Sequence, residues 1–343
     1  MSFATSILNL APLSPGVAPW KTRDPFLFCV YHHDIYPKGN ENFGPVASLD
    51  GRNMGQDFAG IDGWRMYHGM TVPGFPKHPH RGFETITVAR QGLLDHSDSM
   101  GAKARYGEGD VQWLTAGKGI QHSEMFPLLD RDENNPMELF QIWLNLPQAH
   151  KFAEPHFSML WAPTIPHKTI LDSHGHGTHV TVHAGRYLDA KAPSPPPNSW
   201  AAQPGSDVGI WTIKLDANAQ WTLPATQPEG QRTLYFFEGE RLHIGKEEVA
   251  GGQQIDMNPA QECLITNGAV ESELLMLQGR PIGEPVVQYG PFVMNTAQEI
   301  YGAIADYQRT GFGGWPWKES GPIHGAKRER FALRPGGKKE TAT

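Results

Sequence analysis

Cysteine is nearly missing. The 343-residue chain has two, Cys29 and Cys263, far apart and in no C-x-x-C pair; this argues against a disulfide framework or a zinc knuckle and points to a reducing compartment. Long apolar runs are missing too. No stretch approaches the roughly 18 residues of a membrane span, so no membrane association is expected. The opening segment MSFATSILNLAPLSPGVAPW has neither a basic n-region nor a sustained apolar run, so no signal peptide is read there and a cytoplasmic location is expected. Positive charge is not in excess: 29 Lys and Arg stand against 36 Asp and Glu, a net charge of -7. That balance argues against direct nucleic-acid binding, which normally needs a basic face.

Glycine, proline and histidine are plentiful instead. The 38 Gly, 29 Pro and ten Trp suit a turn-rich β protein better than a helical bundle, because Gly and Pro break helix interiors. At roughly 100–200 residues per domain, two domains are expected. Sixteen histidines are the excess that needs explaining.

Short alternating segments recur along the chain. Phe83 to Val88 alternates and ends at the turn signal Gln91-Gly92; Glu138 to Leu146 puts Phe140, Ile142, Leu144 and Leu146 on one face. Asp110–Leu114, His179–His183, Val208–Leu215, Thr233–Phe237 and Glu273–Leu277 are similar, each bounded by turn residues. Many short strands predict a sandwich or barrel. One helix is predicted: Thr296-Ala297-Gln298-Glu299 forms a capping box, Ile300, Ala303, Ile304 and Tyr307 follow at helical spacing, and Gly311 ends it. Residues 30–70 read as a long excursion, 192–206 as an exposed Pro-rich loop, and the polar, basic stretch beyond about 317 as a surface arm.

The chemistry concentrates in two histidine pairs. In Lys77-His78-Pro79-His80-Arg81-Gly82 the two imidazoles stand at i and i+2, which share a face in an extended segment; Pro79 disfavours the helical region for His78. Further on, after a Gly-rich turn, His122 and Glu124 repeat the i, i+2 spacing. Two such pairs on neighbouring strands would aim four ligands at one point. Three imidazoles and a carboxylate suit a divalent first-row metal and leave positions open.

The motif HPHRGFET, the stretch GDVQWLTAGKGIQHSEM, the run LFQIWLNLP and the later GEPVVQYGPFVMNTAQEI together resemble the pirin family. The resemblance implies an all-β bicupin, two jelly-roll β-barrels with a short C-terminal helix and a metal in the N-terminal barrel. The implied domains are 1–166 (metal-binding cupin, with an extension at about 30–73), 167–317 (cupin without metal) and 318–343 (surface tail). The family's metal positions fall on His78, His80, His122 and Glu124. The implied metal is Fe(II), with Fe(III) accessible and other divalent first-row metals open. The implied activity is quercetin (flavonol) 2,3-dioxygenase, with a small aromatic substrate and O2; Glu124 would be ligand and catalytic base. Two alternatives stay open: an iron-dependent redox-sensing regulatory protein that binds a protein partner without turnover, and a cupin dioxygenase of another substrate. The extension, the Pro-rich loop and the tail depart from the usual family pattern.

The remaining signals are given ordinary readings. His174, His176, His179 and His183 are taken as loop and strand histidines. His32-His33-Asp34 is not read as a facial triad, because adjacent strand residues point oppositely. No ligand pair occurs around Gly251 to Gly268, so no second metal is expected there. Phe83, Trp113 and Phe126 are candidates for an aromatic pocket, with core placement favoured.

Overall fold

The structure is a computed structural model describing residues 6–342. Its described residues form two compact units, each assembled from separated stretches. One comprises 6–15, 20–28 and 164–283; the other comprises 16–19, 29–163 and 284–342.

The first unit is built on a seven-stranded antiparallel sheet. Its edge strand β1 (Ile7–Pro12) pairs with Gln253–Met257, and the sheet continues through Gln231–Glu238, Ser272–Gly279, Gly209–Leu215 and Gly177–Ala184 to His167–Leu171. A four-stranded sheet is formed by Gln220–Leu223, Cys263–Asn267, Arg241–Ile244 and Glu247–Ala250. Strand period two sends Trp211, Ile213 and Leu215 inward, where they cluster with Trp221, Leu234, Phe236, Ile255, Ile265 and Met276. The interior is filled by apolar and aromatic side chains, and Trp221 Nε1 donates there to Tyr187 Oη at 2.8 Å.

The second unit contains β2 (Phe26–Tyr36, mostly in this unit), β3 (Gly74–His80), β4 (Phe83–Gln91), β5 (Leu93–Asp98), β6 (Lys103–Gly107), β7 (Val111–Thr115), β8 (Ile120–Met125), β9 (Asn135–Asn145) and β10 (His156–Leu160). One sheet runs β10-β7-β4-β9-β2; the other runs Lys339–Thr341, Phe331–Leu333, β6, β5, β8, β3. Between them lies a core that includes Tyr36, Tyr67, Leu94, Tyr106, Leu114, Phe126, Leu139 and Phe157. Two sheets enclosing one apolar interior in each unit is the jelly-roll pattern, and the chain is an all-β bicupin. The helix α1 (Ala297–Thr310) forms as its capping box predicts: Thr296 Oγ1 accepts from Glu299 N, and the Glu299 carboxylate accepts from Thr296 N. Such a cap contributes about 1 kcal/mol.

Three expectations need correction. The units do not divide at 166/167, because β1 lies in a sheet of the unit formed by 164–283, while 284–342 belongs to the other. The stretch after 317 is not a surface arm throughout. Phe331–Leu333 pairs with β6, and Arg330 Nη1 binds the buried Asp110 at 2.8 Å. Nor is 30–70 simply a long excursion. It opens with most of β2, and its remainder is built around buried Arg52. That guanidinium donates to Asp57 Oδ2 (2.9 Å), to the Trp64 carbonyl (2.9 Å) and to the Ile61 carbonyl (2.7 Å), and lies 3.3 Å over the Trp64 ring.

Candidate metal centre

Strands β3 and β8 lie side by side, antiparallel, with His78 opposite His122 and Phe75 opposite Glu124. Alternation sends His78, His80 and His122 to the same side. Their ligand atoms all lie within 4.8 Å of one another, and the ring centroids are 4.4 to 4.8 Å apart. The turn after His80 is over-determined. Arg81 Nε donates to the Lys118 carbonyl (2.6 Å), and its Nη1 reaches Asp306 (2.9 Å). Gly82 has a φ of +88°, and a Cβ there would stand 1.9 Å from the Val293 carbonyl oxygen, so only glycine fits.

Burial decides the protonation of this cluster. It pushes His78 down to about 4 and holds His80 and His122 well below the usual imidazole range, with the neighbouring imidazoles adding to the effect. Neutral imidazoles are the form a metal ion requires. His78 Nδ1 lies 2.9 Å from the Pro76 carbonyl oxygen and therefore donates to it, leaving the lone pair on Nε2. His80 is held by the Pro291 carbonyl while its Nδ1 has no partner; neither nitrogen of His122 has one. Buried polar atoms are normally satisfied. Two buried rings and a half-buried one, with their ligand nitrogens close together, form a site able to hold a metal ion.

Glu124 sits beside this set but outside it. Its Oε2 is 3.9 Å from His122 Nε2, and Thr87 Oγ1 donates to its Oε1 at 2.9 Å. The three histidines form the tightest group of ligand atoms, and the Glu124 carboxyl adjoins it on the His122 side. Burial raises the Glu124 pKa, opposed by the nearby His96 and by the Thr87 hydrogen bond.

Residues 20–144 match the Pirin family profile, and residues 210–313 match that of the Pirin C-terminal cupin domain. The chain belongs to the pirin family. Pirin-1 of Arabidopsis thaliana is 35% identical over 68% of this chain and 77% of its own, and Pirin of Rattus norvegicus is 33% identical over 71% and 80%. A Pseudomonas aeruginosa protein provisionally named a quercetin 2,3-dioxygenase is 35% identical over 70% of this pirin and 79% of itself. Among solved structures, quercetin 2,3-dioxygenase from Acinetobacter baumannii superposes with a TM-score of 0.67 at 27% identity, covering 90% of this pirin and 96% of that chain.

A fourth histidine of this pirin centre escaped the sequence reading. His96, on β5, lies opposite Glu124, its ring centroid 5.6 Å from that of His122 and its Nε2 3.2 Å from Asp98 Oδ2. The i, i+2 spacing of His96 and Asp98 repeats that of the two recognised pairs and was the available signal. Of the aromatic candidates, Phe83 touches His80 (5.1 Å between centroids), Phe126 touches Phe75 (6.1 Å), and Trp113 is buried in β7. Trp143, 5.4 Å from His80, and half-buried Phe75, 6.4 Å from His78, were missed. The tract from His174 to His183 makes ordinary contacts, such as His176 to Asp172 (3.2 Å) and His183 to Thr212 (3.0 Å).

Proposed function

We propose that this pirin is an iron(II)-dependent dioxygenase that opens the heterocycle of a flavonol such as quercetin. One flavonol and one O2 yield a depside and carbon monoxide. The observation that carries the reading is the convergence of His78, His80 and His122, neutral and with free nitrogens, beside a buried carboxyl. The likeness to proteins named quercetin 2,3-dioxygenase supports the choice of substrate class.

His78, His80 and His122 would hold the metal. Glu124, with Oε2 3.9 Å from His122 Nε2, would be a fourth ligand, and otherwise the base. Divalent iron supplies a Lewis-acidic, redox-active centre for an oxyanion and dioxygen. The protein's own part is to bind, orient and deprotonate. Glu124 Oε2, facing His122, takes the proton of the flavonol 3-hydroxyl; burial has made this carboxylate more basic than a free one, which suits it to that task. Thr87 holds the other oxygen in place. Phe75 offers a half-buried ring beside His78 for a flat aromatic substrate. The cytoplasm is the matching location, since Cys29 and Cys263 are both unpaired thiols.

The test is reconstitution with iron(II) under argon, addition of quercetin in aerobic buffer, and detection of carbon monoxide. Release in proportion to quercetin lost is the expected result. An occupied site without turnover would favour the regulatory reading.

A further inference from the structure

His32 and Asp34 stand at i and i+2 in β2, both buried, while His33 between them is exposed. The hydroxyl of Tyr67 joins them. It donates to Asp34 Oδ2 at 2.5 Å and lies 2.8 Å from His32 Nδ1. One hydroxyl proton serves one acceptor, so the second bond runs from His32 Nδ1–H to the Tyr67 oxygen. Asp34 is anchored in turn by Arg65 Nη1 at 2.8 Å. This chain of bonds fixes the tautomer of His32 and leaves its Nε2 as a lone-pair acceptor, since the hydrogen bond that this ring makes among the described residues is the one through Nδ1.

Tyr67 is held there at a cost. Its φ is +56°, a left-handed conformation that bulky residues rarely adopt and that persists only when the surroundings impose it. The surroundings are the Arg52–Asp57 framework, in which Asp57 Oδ2 accepts from Met66 N at 2.9 Å and the Tyr67 backbone bridges to Asp57. The ring of His32 stands edge-on to Phe75, with centroids 6.0 Å apart, and Phe75 stands edge-on to His78 at 6.4 Å. His32 and the metal-site histidine thus flank the same half-buried aromatic ring.

We propose that His32 is a positioning residue whose Nε2 accepts a hydrogen bond from a phenolic hydroxyl of the substrate, remote from the ring bound at the three histidines. The proposal rests on the flavonol reading. It makes the 30–73 segment, through Tyr67, the part of the chain that selects among polyphenols by their outlying hydroxyls.

The test is equilibrium binding to the iron-loaded protein under argon, followed by fluorescence quenching. The two probes are quercetin and 3-hydroxyflavone, which lacks the outlying hydroxyls. The wild type is expected to prefer quercetin. His32→Leu should weaken quercetin binding about 3- to 10-fold, the worth of one neutral hydrogen bond, and leave 3-hydroxyflavone unchanged. His32→Gln, which keeps an acceptor, should recover part of the loss, and Tyr67→Phe should show a smaller loss with the same selectivity. Equal effects of His32→Leu on both probes, or none on either, overturn the proposal and leave the flavonol reading standing. A wild type that binds neither probe overturns both.

Discussion

Gln121 and Tyr307 stand 186 positions apart in the chain, and the Tyr307 hydroxyl donates a 3.2 Å hydrogen bond to Gln121 Oε1. The other end of that amide donates to the carbonyls of Gly311 (2.5 Å) and Gly314 (3.0 Å). Gln121 precedes His122 on β8 and points away from it. The segment around the end of α1 therefore grips the back of a ligand strand. Gln121→Ala should destabilise the protein by about 1–2 kcal/mol, because it removes three hydrogen bonds to half-buried partners, and should speed loss of metal to a chelator. Urea unfolding and metal analysis after dialysis check this; unchanged midpoints would show that the grip contributes nothing.

Glu124→Gln preserves shape and removes the base. It should retain most of the bound metal, since three imidazoles remain, while flavonol turnover falls by about 10²- to 10⁴-fold. Oxygen uptake beside metal analysis separates the two effects. Undiminished turnover would exclude the base role.

Asp57→Ala removes the buried carboxylate of Arg52 and leaves only the exposed Asp62, 3.9 Å away. The expected loss is about 3–5 kcal/mol, as for other buried pairs broken on one side. Because Met66 N also bonds to Asp57, the loss should be accompanied by faster amide exchange at 66 and 67. Unaltered exchange there would mean that the excursion is held by something else.

Lys151 is buried, donating to the Gly82 carbonyl (2.8 Å) and Asn145 Oδ1 (2.7 Å), and burial lowers its pKa to about 8. The folded value lies below the unfolded one, so between about pH 8 and the ordinary lysine range the unfolded chain binds more protons. In that window stability should rise with pH, by on the order of 1–3 kcal/mol in total. Lys151→Met should flatten the rise. Denaturant midpoints from pH 7 to 10.5 give the comparison, and parallel curves for the two proteins would contradict it.

The local features were legible because they are local. The i, i+2 pairs at His78–His80 and His122–Glu124 encode a shared strand face, and the capping box at Thr296 encodes its own helix start. Long-range pairing leaves no such trace. Nothing in the sequence of Ile7–Pro12 says that it pairs with Gln253–Met257, or in Phe331–Leu333 that it pairs with Lys103–Gly107. His32-His33-Asp34 shows the same limit. Alternation correctly separated His33 from its neighbours, but the Tyr67 hydroxyl that joins His32 to Asp34 arrives from a distant turn in a conformation that no propensity favours.

The most direct measurement is oxygen uptake with quercetin by iron-reconstituted wild type and His122→Ala, each with its bound iron determined. The wild type should bind about one iron and consume one O2 per quercetin cleaved, whereas His122→Ala should hold little iron and consume none. Near-stoichiometric iron in the mutant, or equal oxygen uptake by both proteins, would contradict the account.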